Sequence, residues 1–148
     1  MTANLFDLHG RIAFVSGAAG HLGKPMARAL CEAGAHVILN GRDDAKLKDF
    51  ENELKAKGRS VEHAAFDVSD FTRAREFMAS RPRLDILVNN AISMTPAPFA
   101  ALTPEAFEQT YRSSVVAAFE LVRAALPALR AAVAASGDAS VINIASMY

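Results

Sequence analysis

Short apolar runs rich in β-branched residues alternate with longer amphipathic stretches along the chain. The runs are "RIAFVS" (11–16), "HVILN" (36–40), "VEHAAF" (61–66), "LDILVNNA" (84–91) and "SVINIAS" (140–146). Between them, helical patterns extend from about Leu22 to Ala33, Asp44 to Lys57, Phe71 to Ser80 and Pro104 to Ala134. Strands this continuously apolar need cover on both faces, and helical crossovers supply it when the strands are parallel. Right-handed crossovers then predict an α/β, doubly wound parallel sheet. No repeat, low-complexity tract or linker divides the chain, so residues 1–148 are expected to form one domain.

In the longest helix, Phe107, Tyr111, Val115, Ala118, Val122, Ala125 and Leu129 recur every three or four residues and predict its buried face. Pro127 predicts a kink near its end. Phe119 and Leu126 fall on the other side, more apolar surface than a solvated helix needs. Two explanations stand: a homo-oligomer contact through helix 104–134, or further packing within the chain.

A length of 148 residues with 51% hydrophobic content suits one core of ordinary size. Sixteen basic and sixteen acidic side chains cancel, leaving no global field to attract nucleic acid or an anionic membrane. Charged residues interrupt "MTANLFDLHGRIAFV", and no long apolar run follows, so the sequence reads as soluble and cytoplasmic. Cys31 lies in an alanine-rich apolar pattern and is expected to be a small buried hydrophobe, and no metal site is expected.

"VSGAAGHLG" (15–23) follows the first strand and opens the first helix. Gly17, Gly20 and Gly23 suit a tight turn, close backbone approach to a pyrophosphate and close helix-to-strand packing. The helix end offers unpaired N–H groups to the same anion.

The glycine loop, "LNGRD", "DV" at Asp67, "NNA" at Asn89 and "VINIAS" together resemble the short-chain dehydrogenase/reductase family, in order and spacing throughout the 148 residues. "LFDLHGRIAFVSGAAGHLG" with "VILNGRD" is particularly similar to gluconate dehydrogenase and 3-oxoacyl reductase-like members. The resemblance implies a Rossmann-type sheet. Cofactor contacts then fall on Ser16, Gly17, Gly20, His21, Leu22 and Gly23, on Asn40 and Arg42, on Asp67 and Val68, and on Asn89, Asn90 and Ala91.

Three positions depart from the family pattern. Ser16 replaces the usual threonine, and His21 stands where the middle glycine is expected, with Gly20 in its place. His21 either touches a cofactor phosphate or points to solvent. Ile92 follows "NNA" where glycine is commonest. Asp67 either lies beside the adenine or caps the next helix with Ser69 or Asp70.

The second strand ends "ILNGRD", without an acidic side chain to accept hydrogen bonds from the ribose hydroxyls of NAD. Asn40 has no charge to repel a 2′-phosphate, and Arg42 offers one a forked contact. NADP(H) is expected over NAD(H), and Asp43 is expected to cap the second helix.

Family chemistry implies a serine that polarises a carbonyl, a tyrosine that passes a proton, a lysine four residues later and a supporting asparagine. Ser146 matches the serine. Tyr111 is followed four residues on by Val115, Tyr148 is the last residue, and no lysine follows Lys57, so the relay is expected beyond Tyr148. Ser114 occupies the asparagine position. The implied activity is hydride transfer between NADP(H) and a small carbonyl or alcohol substrate. On this reading the chain carries the cofactor-binding part and the catalytic serine, and its sheet is truncated after the fifth strand. The alternative is a non-catalytic dinucleotide-binding or partner-binding module.

Overall fold

The computed structural model describes residues 6–94 and 96–145. Five parallel strands form one sheet in the order β3-β2-β1-β4-β5: β1 Ile12–Val15, β2 His36–Gly41, β3 Val61–Ala65, β4 Ile86–Asn89 and β5 Ser140–Asn143. Helices α1 (Gly23–Glu32), α2 (Asp44–Ala56) and α3 (Phe71–Ala79) make the crossovers between the first four strands. A long helical segment leads into β5, comprising α4 (Pro104–Tyr111), a π turn (Arg112–Val116) and α5 (Ala117–Ser136). This is the expected doubly wound α/β arrangement, and the strand order reverses between β1 and β4.

Successive side chains on a strand face opposite ways, and here both faces are covered. Ala13, Val15, Val37 and Leu39 pack with Ala27, Cys31, Leu47, Phe50 and Leu54 of α1 and α2. On the other face Phe14, Ile38 and Leu87 pack with Ala74 and Met78 of α3 and Leu121 and Ala125 of α5. Cys31 is part of the first layer, where burial pushes its thiol up to about 11.

The long helix departs from the expectation at its amino-terminal end. Phe107, Tyr111 and Val115 are exposed rather than buried, Ala118 and Val122 are half-buried, and Ala125 and Leu129 are buried as expected. The buried side runs through Ser113, Ala117, Leu121, Ala125, Ala128 and Ala132. Two physical causes explain this. The π turn, in which the Ala117 N–H bonds to the Arg112 carbonyl, changes the phase of the helix midway. Alanines also let α5 lie close to the sheet and α3, so burial follows small size rather than apolar bulk. Pro127 sits inside α5 without ending it. Tyr111, Val115, Phe119, Leu126 and Val133 form an exposed apolar stripe.

Buried charge ties the sheet's amino end to α5. Asp85, 1% exposed, accepts a fork from Arg83 (Nε to Oδ2 3.0 Å, Nη2 to Oδ1 2.6 Å), the Ile12 N–H at 3.0 Å and Arg11 Nη1 at 3.1 Å. Arg11 also reaches the Asp138 carboxylate at 2.6 Å. Burial raises the Asp85 pKa, but the bonds from Arg83, Ile12 and Arg11 outweigh it and hold the carboxyl below its ordinary range. Glu120, another buried acid, is held by Arg75 at 3.1 Å and Arg123 at 2.8 Å.

Candidate functional site

The chain turns sharply after β1, with Gly17 at a φ of +64°. A Cβ there would meet Asn90 Nδ2 at 3.0 Å and the Ala91 Cα at 3.1 Å, because the glycine loop is pressed against the turn that follows β4. Ser16 is the fastener. Its Oγ donates to the Val88 carbonyl (3.2 Å) and accepts from the N–H groups of Asn90 (2.9 Å) and Ala91 (3.0 Å). Asn90 Nδ2 returns bonds to the carbonyls of Ser16 (2.9 Å) and Gly17 (3.3 Å). No side chain caps α1, and its positive end stands beside the loop, where the Lys24 N–H bonds back to the Gly20 carbonyl at 3.1 Å.

Outside the carboxyl ends of the strands lies a cavity of about 640 Å³. The expected residues Gly17, Gly20, His21, Leu22, Asn40, Arg42, Asp67, Val68, Asn89, Asn90 and Ala91 all line it. Ser16 and Gly23 do not, since they act from behind: Ser16 holds the two turns together, and Gly23 is buried where α1 meets the loop. Ser146 lies outside the described residues. His21 is exposed on the cavity wall, and Ile92 lines the cavity beside the "NNA" turn.

Several side chains have definite work. Asn40 is fully buried, and its Nδ2 donates to the carbonyls of Ala64 (3.0 Å) and Phe66 (3.1 Å), bracing β2 to the carboxyl end of β3. Asn89 Nδ2 donates to Asn143 Oδ1 at 2.8 Å and braces β4 to β5 in the same way. The Oδ1 atoms of both asparagines are buried without a partner. Asp67 accepts the Ser69 N–H at 2.8 Å within its own turn, whereas Asp70 caps α3 through the Arg73 N–H. Asp67 therefore stays on the cavity wall, and the cap belongs to Asp70. Asp43 caps α2 as expected, its Oδ1 accepting the Lys46 N–H at 3.0 Å.

Arg42 crosses the cavity mouth, its Nη1 3.5 Å from Ser93 Oγ and 4.0 Å from Asp67 Oδ2. Sequence reasoning missed Lys46, Ser93 and Ser113 as lining residues. For Lys46 a partial signal existed: it falls in the first turn of the helix that Asp43 opens, just past the loop that carries Arg42. Ser93 and Ser113 gave none, because they meet only through folding, with the Ser113 Oγ accepting the Ser93 N–H at 3.0 Å. Ser114 also reaches the cavity, and its Oγ donates to the Thr110 carbonyl at 2.6 Å beside the π turn.

A glycine cradle, a helix end without a side-chain cap and a cavity at the strand reversal fit an anionic dinucleotide. Among the described residues no group of three or more His, Cys, Asp or Glu side chains could hold a metal ion, and no helix is long and apolar enough to cross a membrane.

Comparison with known proteins agrees with this geometry. The chain is 34% identical over 146 residues to the rhamnolipid-biosynthesis 3-oxoacyl-[acyl-carrier-protein] reductase of Pseudomonas aeruginosa, covering 96% of this chain and 57% of that protein. It is 32% identical over 120 residues to gluconate 5-dehydrogenase of Gluconobacter oxydans, covering 78% of this chain and 47% of that protein. Among solved structures, a gluconate 5-dehydrogenase of Burkholderia cenocepacia in complex with NADP and tartrate matches with a TM-score of 0.80 and 33% identity, over 95% of this chain and 55% of that one. A Pseudomonas aeruginosa NADP active-site complex matches with a TM-score of 0.87 and 34% identity, over 95% of this chain and 56% of that one. The chain thus spans about half the length of the relatives it matches. The short chain dehydrogenase family model matches residues 11–148, and so the chain belongs to the short-chain dehydrogenase/reductase family of oxidoreductases.

Proposed function

We propose that this chain is the cofactor-binding part of an oxidoreductase that moves a hydride between NADP(H) and a small carbonyl or alcohol substrate. One observation carries the reading: the glycine loop and the turn after β4 are packed so closely that a Cβ at Gly17 would press on Asn90 and Ala91, and the cavity opens beside them. That cradle suits a pyrophosphate approached by backbone alone. The nicotinamide would supply the hydride. Gly17, Gly20, His21 and Leu22 would hold the pyrophosphate, Asp67 and Val68 the adenine, and Asn89, Asn90 and Ala91 the inner wall. Ser146 would donate its Oγ–H to the substrate carbonyl oxygen, where negative charge develops.

NADP(H) is favoured over NAD(H) because Arg42 is the cation at the end of β2 and no acidic side chain takes its place. Titration of the protein with each reduced cofactor, followed by fluorescence, is expected to give at least about tenfold tighter binding of NADPH, about 1.4 kcal/mol. Arg42→Ala should remove most of that difference. Equal or tighter binding of NADH by the wild type would sink the NADP reading.

Ser114 favours a second reading. A hydroxyl bonded to the Thr110 carbonyl replaces the amide that the family places at this position, which suits a module that binds the dinucleotide without turning it over. Carbonyl reduction by the protein would exclude this reading.

The exposed stripe of Tyr111, Val115, Phe119, Leu126 and Val133 supports pairing with a second copy through helix 104–134. Phe119→Glu is expected to shift the protein to monomer in sedimentation velocity. A wild type that is already monomeric at high concentration would count against the pairing.

A further inference from the structure

Arg42 shares its end of the cavity with a second cation. Lys46, in the first turn of α2, lines the same wall, and its side chain is 74% exposed. Its Nζ rests 3.3 Å from Asp43 Oδ2, a surface pair of little strength. Arg42 is held no more firmly, at 4.0 Å from Asp67 Oδ2 and 3.5 Å from Ser93 Oγ, both long contacts on an exposed side chain. Both cations are free to turn inward at small cost.

The acids beside them are not equally free. Asp43 is fixed by its cap, because Oδ1 accepts the Lys46 N–H. Asp67 is fixed by its turn, with Oδ1 accepting the Ser69 N–H. The result is two mobile cations over two anchored carboxylates, a set that is neutral as it stands. A ribose bearing only hydroxyls offers that set no reason to rearrange. A phosphate monoester, with a charge of about −1.5 to −2, competes with the two carboxylates for both cations, and neither cation alone could balance it.

We infer that Lys46 is a second specificity-determining residue, which closes with Arg42 on the 2′-phosphate of the dinucleotide. This rests on the NADP(H) reading above. Arg42 supplies the forked contact and Lys46 a point charge. Discrimination between the two cofactors is then divided between the loop after β2 and the first turn of α2.

The test is calorimetric or fluorescence titration of NADPH and NADH against the wild type, Lys46→Gln, Lys46→Arg and Lys48→Gln. Lys48 is an exposed lysine of the same helix that does not line the cavity. The cap uses the backbone N–H of residue 46, so all three variants keep it, and an unchanged far-ultraviolet circular dichroism spectrum checks this. Lys46→Gln is expected to weaken NADPH about tenfold, as for loss of one charge-assisted contact, and to leave NADH within about twofold. Lys46→Arg should retain tight NADPH binding, and Lys48→Gln should change neither cofactor. If Lys46→Gln weakens both cofactors alike, or neither, Lys46 does not read the phosphate although the NADP(H) reading survives. A wild type that fails to prefer NADPH overturns that reading and the role of Lys46 with it.

Discussion

Gly23→Ala is expected to destroy the nucleotide cradle. A Cβ at residue 23 would lie 2.1 Å from the Gly17 carbonyl oxygen and 2.8 Å and 2.9 Å from the Ala18 Cα and carbonyl carbon. All three are backbone atoms, so no rotamer change relieves the clash, and either α1 moves or the Gly17–Ala18 turn does. Overpacking of this kind costs about 1–3 kcal/mol of stability. Binding suffers more, since the displaced turn is the surface proposed to meet the pyrophosphate. NADPH affinity should fall about a hundredfold or more, about 2.7 kcal/mol. Gly58→Ala is the control. Gly58 has a φ of +71° but nothing within 4 Å of its added Cβ, so that variant should lose about 1 kcal/mol of stability through backbone strain and bind NADPH unchanged. A Gly23→Ala protein that binds like the wild type would show that the close packing of α1 on the loop has no part in nucleotide binding.

The second large effect is at the opposite end of the sheet. Asp85→Ala leaves Arg83 and the Ile12 N–H without their acceptor, while Arg11 keeps the Asp138 carboxylate and both arginines keep some contact with water. Losing the acceptor of such donors costs about 1–3 kcal/mol, a sizeable part of the 5–15 kcal/mol that typically holds a domain together. Chemical denaturation should show it as a lower midpoint with an unchanged slope. The same group sets an acid limit. Its folded pKa lies below its unfolded value, so its contribution is complete above the ordinary carboxylate range and is lost as pH falls through the folded value. Asp85→Asn, which cannot titrate, should flatten that acid limb. A wild-type limb that Asp85→Asn leaves unchanged would place the acid sensitivity elsewhere.

The sheet and the loop were readable because their signals are local. A strand covered on both faces has to be apolar throughout, and Ala13 to Val15 and Val37 to Leu39 are. Gly23 answers to Gly17 and Ala18, a few positions away, whereas the crowding of Gly17 by Asn90 and Ala91 comes from across the chain. What escaped reading depends on contacts made across the chain. Asp85 joins Arg11, 74 residues earlier, and Arg11 joins Ser136, 125 residues later, and neither pairing leaves a pattern in the sequence. Asn40 lines the cavity, but the bonds from its Nδ2 to the Ala64 and Phe66 carbonyls, which brace β3, left no sign in the sequence. The burial phase of the long helix failed for a third reason. Periodicity assumes one constant turn, and Arg112–Val116 breaks it.

That break has a genetic counterpart. A turn closed between residues five apart holds one residue more than the α-turn it replaces, as an insertion would leave it. Deleting one residue from Arg112–Val116 should return the segment to a plain helix and rotate everything before it by about 100° relative to α5. Ser113 and Ser114 would leave the cavity wall while Leu121 and Ala125 stayed in the core. The π turn thus keeps its two serines on the cavity wall while the helix beyond it is set in a different frame of the same spiral, indexed to α3.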